Sequence, residues 1–118
     1  ARSVVITTPQ SAAATVAERS GAIGLQTGQE ILGVIENLSY LPSDAGNQYI
    51  FGQGGGQGVA DRLSTLSGQP VELLAQLPIS SALREASDSG VPLVISDPEN
   101  EISKQIFDIA KALAAKPL

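Results

Sequence analysis

Two short aliphatic runs constrain this chain most: Val4-Val5-Ile6, and Ile31-Leu32-Gly33-Val34-Ile35. Short aliphatic runs are the mark of strands buried on both faces, as in parallel sheets covered by helices. The first run stops at Thr7-Thr8-Pro9, where the proline disfavours helix at Thr8 and allows one to begin just beyond it. From Ser11 to Leu25 the chain is Ala-rich, with Ala13, Val16, Ala17 and Ile23 roughly at helical spacing. Ser11 is the expected N-cap, while Gly21 and Gly24 weaken the second half. Strand, helix and strand within about thirty-five residues make a βαβ unit with parallel, right-handed connectivity.

Glu36 to Gly58 changes character, holding Pro42, Ser43, Asp44, Gly46 and Asn47, then five glycines between Gly52 and Gly58. This predicts a long flexible loop over about 41–58, of the kind that is usually functional or mobile. Helical spacing resumes at Val59, Ala60, Leu63 and Leu66, with Gly68 as the stop. Val71, Leu73, Leu74 and Leu77 predict a third strand ending at Pro78, hence a second βαβ unit. Ser81 to Ser87 is a short helix candidate capped by Ser81, and Leu93-Val94-Ile95 reads as a brief extended segment. After Asp97-Pro98 comes an amphipathic helix carrying Ile102, Ile106, Ile109, Ala110 and Leu113, with Lys104, Lys111 and Lys116 toward its C-terminal end. Fold class is therefore α/β, about three parallel strands flanked by helices. The 118 residues predict a single domain with one core. The start at Ala1, three residues before a strand, reads as a piece of something longer.

Composition removes several chemistries. There is no Cys and no His, which excludes the usual zinc sites, thiolate iron–sulfur ligation, thiol catalysis and a Ser-His-Asp triad within these residues. Net charge is −5, and every lysine lies at or beyond Lys104, so no basic face is available for nucleic acid. No apolar run approaches the roughly 20 residues of a bilayer span, and no signal-peptide pattern opens the chain. The expectation is a cytoplasmic protein that engages neither nucleic acid nor membrane.

The cluster Gly52-Gln53-Gly54-Gly55-Gly56-Gln57-Gly58 invites a phosphate-loop reading, because closely spaced glycines let backbone N–H groups reach an anion. A Walker A loop needs G-x-x-x-x-G-K-S/T, and no Lys precedes Lys104; G-x-G-x-x-G fails too, with Gln57 and Val59 where the last glycine belongs. A flexible hinge leading into a helix is the plainer reading. Thr7-Thr8-Pro9-Gln10, Glu36-Asn37 and Pro78-Ile79 are instead three strand ends facing one crevice, the edge where open α/β sheets bind ligands. Asn37 carries an acceptor and two donors and could read a purine edge, or could simply be a turn residue. Asp88, Asp97, Glu99 and Glu101 lie in turns and first helical turns, where capping explains them, and Arg62 and Arg84 suit solvated helix faces.

Five pieces taken in order resemble one family: Thr7-Thr8-Pro9-Gln10, Gly33 to Tyr40, Ile50-Phe51-Gly52-x-Gly54-Gly55, Leu77-Pro78-Ile79, and Leu83-Arg84-Glu85 with Gly90-Val91-Pro92. From residue 4 to about 114 the chain is similar to the C-terminal half of the Mrp/ApbC group of P-loop ATPases, relatives of MinD and ParA associated with iron–sulfur cluster carriage. The resemblance implies a partial P-loop NTPase-like three-layer fold, ATP with Mg as cofactor of an intact protein, none retained by this part alone, and a homodimer serving iron–sulfur apo-protein targets. It implies adenine-side contacts from Asn37, with Pro78 and Ile79 beside the base and Gln10 on the phosphate side and dimer seam. No catalytic residue and no metal ligand is assigned. Two departures stand out: the Cys-x-x-Cys frequent after the Asn strand is absent over Leu41 to Asn47, and Thr15 replaces an Asp common in the first helix. The family's Walker A lysine and Walker B aspartate belong to its N-terminal half, so these residues alone should not hydrolyse ATP. A G-K-G-G-V-G-K-S/T run upstream of Ala1 would settle the ATPase assignment. The alternative is a non-catalytic α/β interaction module, a Rossmann-like half-domain dimerising through its exposed first-strand edge.

Overall fold

A computed structural model describes residues 1–117. The chain divides into two compact units, Ala1–Pro78 and the residues from Ile79 on. Each unit closes its own apolar cluster.

The first unit alternates strand and helix: β1 (Arg2–Thr7), α1 (Ser11–Gln26), β2 (Glu30–Glu36), α2 (Gly55–Ser67) and β3 (Leu73–Gln76). The strands form one parallel sheet in the order β1-β2-β3. Val34 of the central strand and Val59, Ala60 and Leu63 of α2 are fully buried and form the core with Val5, Ala17, Ile31 and Val71. Complete burial of a side chain such as Leu63 contributes about 1.5–3 kcal/mol. The two helices meet directly: a Cβ on Gly21 would stand 2.5 Å from Leu63 Cδ2. Gly21 therefore does not weaken α1 but lets it approach α2, and both helices cover the sheet face that carries Val5 and Val34. Strand alternation turns Ile6 to the opposite face, where it is 59% exposed.

Local signals differ from expectation at several ends, for identifiable reasons. Helix α1 is capped by Gln10 in extended conformation, without a side-chain bond, and Ser11 is already helical. Helix α2 begins at Gly55, inside the glycine cluster, so the predicted loop ends earlier than Gly58. The remainder of that loop is tied by an antiparallel bridge between Leu41 and Gln48 and by packing of the Tyr40 and Tyr49 rings, 6.3 Å between centroids. Strand β3 is shorter than the apolar run, because the Val71 N–H is taken by Ser64 Oγ at 2.8 Å.

The second unit holds α3 (Ser81–Ser89), α4 (Leu93–Ser96) and α5 (Glu101–Ala114) around Ala86, Leu93 and Ile102. Ser80, not Ser81, caps α3, its Oγ accepting from the Leu83 N–H at 3.1 Å. Leu93-Val94-Ile95 is a helical turn, not an extended segment: Pro92 at its cap carries φ −58°, and its carbonyl accepts from the Ile95 and Ser96 N–H groups. Asn100 caps α5 through the Ile102 N–H at 2.9 Å. Among the described residues no helix is long and apolar enough to cross a membrane.

Two glycines of α2 make opposite predictions. A Cβ on Gly56 would lie 2.8 Å from Glu36 Oε2 and 3.0 Å from Leu73 Cδ1, whereas one on Gly58 would meet nothing within 4 Å. Urea unfolding is expected to show Gly56→Ala destabilised by about 1–3 kcal/mol through overpacking. Gly58→Ala is expected to be stabilised by about 0.5–1 kcal/mol, because only helix propensity changes.

Candidate functional site

Parallel pairing brings all three strand ends to one edge of the sheet. In register, Thr7 lies beside Glu36 and Glu36 beside Gln76. The ladder runs on past the strands, with Asn37 N–H donating to Thr7 O at 2.8 Å and Leu77 N–H to Glu36 O at 2.8 Å.

Glu36 ends the central strand with its side chain only 1% exposed. Its Oε1 accepts from Ser39 Oγ at 2.7 Å and from Gln76 Nε2 at 3.2 Å, and its Oε2 accepts from the Gly56 N–H at 2.6 Å. The carboxylate thus caps the positive end of α2, where unsatisfied N–H groups and the helix dipole favour a negative charge. Gly54 enters the helix with φ 84°, and a Cβ on Gly55 would stand 2.5 Å from Pro9 O. Neither hinge nor phosphate loop describes the glycine cluster: it is a close-packed helix start whose anion is the protein's own Glu36.

Asn37 follows at the tip. Its Oδ1 is shut off from solvent and has no hydrogen-bond partner. Such an atom costs about 1–3 kcal/mol when unpaired, and in native structures it calls for an explanation. Leu38 then adopts φ 55°, and the Ser39 N–H returns to Leu77 O at 2.9 Å. Asn37 closes one end of a groove of about 630 Å³ that runs along β1 from Ser3 to Thr8 and against Ala13, Val16 and Ala17 of α1.

Of the residues singled out from sequence, the fold brings Asn37 together with Thr7 and Thr8 in this groove. Pro78 stands at the same sheet edge, one residue past the Leu77 ladder bonds, but does not line the groove. Gln10 is exposed at the start of α1, its Oε1 accepting from Thr8 Oγ1 at 3.2 Å. Ile79 is half-buried and begins the second unit. Among the described residues no three His, Cys, Asp or Glu side chains group as metal ligands. Sequence reasoning passed over Glu36 and Ser39 as a buried pair. The available signal was a charged residue closing an otherwise aliphatic strand. Glu36→Ala leaves the buried Gly56 N–H without its acceptor, and denaturant unfolding should show a loss of about 1–3 kcal/mol.

Residues 1–114 match the family model described as ParA, NUBPL iron-transfer P-loop NTPase. The iron-sulfur cluster carrier protein of Mycobacterium tuberculosis is 52% identical over 114 residues, covering 96% of this chain and 30% of that protein. The carrier protein of Synechocystis is 40% identical over 119 residues, covering 98% and 32%. The chain therefore spans about 30% of the length of the curated relatives it matches. Among solved structures, the septum site-determining protein MinD of Pyrococcus horikoshii, complexed with Mg-ADP, superposes with TM-score 0.69 at 23% identity, covering 97% of this chain and 41% of that one. The cell division ATPase MinD of Pyrococcus furiosus gives TM-score 0.66 at 24% identity, covering 96% and 42%. The three-stranded parallel sheet and its helices are thus part of the MinD-type P-loop ATPase fold, and by its match over nearly its whole length the chain belongs to the ParA/NUBPL family of iron-transfer P-loop NTPases.

Proposed function

We propose that these residues form the base-side part of an adenine-nucleotide site in an iron–sulfur cluster carrier of the Mrp type. The observation that carries the reading is the buried, unpartnered Asn37 Oδ1 at the strand tip. A carboxamide there can accept from the exocyclic amino group of adenine and donate to a ring nitrogen. The relatives' description as cluster carriers and the Mg-ADP bound to a MinD of the same fold support the choice of cargo and ligand.

The donor set fits the base and not the phosphates. No lysine precedes Lys104, and the first N–H groups of α2 face Glu36, so the triphosphate and Mg are held by other parts of the polypeptide. With bound Mg-ATP the phosphoryl chemistry resides at those groups, while this part positions the base. Cluster cargo is likewise held elsewhere, since these residues contain no Cys or His. In the full-length polypeptide, Asn37→Ala is expected to weaken ATP binding by about 1–3 kcal/mol in titration calorimetry. Equal affinity in variant and parent removes the adenine-reader role.

The bare edge of β1 favours a second reading, strand-edge dimerisation. β1 pairs on one side alone, and Ile6 and Val16 are 59% and 63% exposed. If two copies join there, Ile6→Lys should shift a dimer to a monomer in sedimentation.

A further inference from the structure

We infer that Glu36 and Ser39 are positioning residues that hold the Asn37 carboxamide in its nucleotide-reading orientation before any ligand arrives. The inference rests on the reading of Asn37 as the adenine contact. Four consecutive residues carry it. Glu36 and Ser39 are each 1% exposed, and the Ser39 hydroxyl reaches back to Glu36 twice, to the backbone O at 3.1 Å and to Oε1 at 2.7 Å. Between them, Leu38 is the one described non-glycine residue with positive φ, at 55°. A bulky side chain enters that region only where its surroundings force it.

The surroundings here do so from both sides. Asn37 is anchored by its N–H to Thr7 O of β1, and Ser39 by its N–H to Leu77 O beyond β3. The left-handed kink at Leu38 is the step that lets one segment bridge both neighbours while returning the hydroxyl to Glu36. A loose turn would let the Asn37 carbonyl rotate toward solvent or a backbone donor. A locked turn leaves Oδ1 buried and unpaired, an acceptor whose donor the described residues do not supply. That acceptor meets the amino group of adenine but opposes the carbonyl oxygen of guanine, so the lock is a selectivity device as well as an affinity device.

The test measures dissociation constants for ATP and GTP in the full-length polypeptide carrying Ser39→Ala, Leu38→Gly, Asn37→Ala, and Asn37→Ala combined with Leu38→Gly. Leu38→Gly removes the strained side chain without removing a hydrogen bond, so it frees the turn while every hydrogen-bond partner stays in place. The expected result is a loss of ATP affinity of about five- to twenty-fold for Ser39→Ala and Leu38→Gly, with GTP affinity within about two-fold of the parent. In the double variant, Leu38→Gly should add little to Asn37→Ala, because both act through one contact. Equal loss for ATP and GTP, or full additivity, would mean a purely structural turn and overturn the inference. Unchanged ATP affinity in Leu38→Gly, alongside a clear loss in Asn37→Ala, overturns it while sparing the adenine reading. Unchanged affinity in Asn37→Ala sinks both.

Discussion

The Glu36 carboxylate accepts hydrogen bonds from three separate places: Ser39 just beyond it, Gly56 at the start of α2, and Gln76 at the end of β3. Burying a carboxylate without partners costs several kcal/mol, so its position is tolerable only while all three donors stay put. That requirement propagates outward. Gly56 must lie close enough to donate at 2.6 Å, which leaves no room for a Cβ there, and Gly55 must then run against the backbone of Pro9. One side chain thus joins the ends of β2 and β3 to the first turn of the second helix. The crevice edge of the sheet is rigid for a reason that lies beneath it.

This explains which parts of the molecule were legible from sequence. The strand runs Val4-Val5-Ile6 and Ile31 to Ile35, the helices between them and the alignment of Thr7, Asn37 and Pro78 on one edge follow from periodicity and turn residues, which are local signals. The role of Glu36 is not local: its donors Gly56 and Gln76 are 20 and 40 residues away. Without them, five glycines in seven residues read as slack, where the fold uses their lack of side chains for contact. The misreading of Leu93-Val94-Ile95 has a different origin, since three apolar residues fit a strand or a helical turn equally well, and only Pro92 with its two accepted bonds decides.

The two faces of the edge have different needs. A base is recognised by a few directed hydrogen bonds in a rigid setting, whereas phosphates require positive charge and metal. The chain's net charge of −5 and the confinement of its lysines to the last helix and beyond suit the first task and not the second. Its helix N-terminus, which elsewhere would bind an anion from solution, is used for internal structure instead.

Two unfavourable features stand side by side at the tip of β2: the left-handed Leu38, costing about 1–2 kcal/mol, and the unpaired Asn37 oxygen, costing about 1–3 kcal/mol. A turn evolved for stability alone would carry Gly at the first position and a solvated or paired side chain at the second. Neither cost is relieved, although relief needs only a single substitution in each case. Their adjacency, within four residues whose ends are fastened by Glu36 and Ser39, is what distinguishes a site from a loose end. These two are local, and the hydrogen bonds of Asn37 N–H to Thr7 O and of Ser39 to Glu36 and Leu77 hold them. On the proposed nucleotide reading, the cost of the unpaired Asn37 oxygen is recovered once a base amino group donates to it.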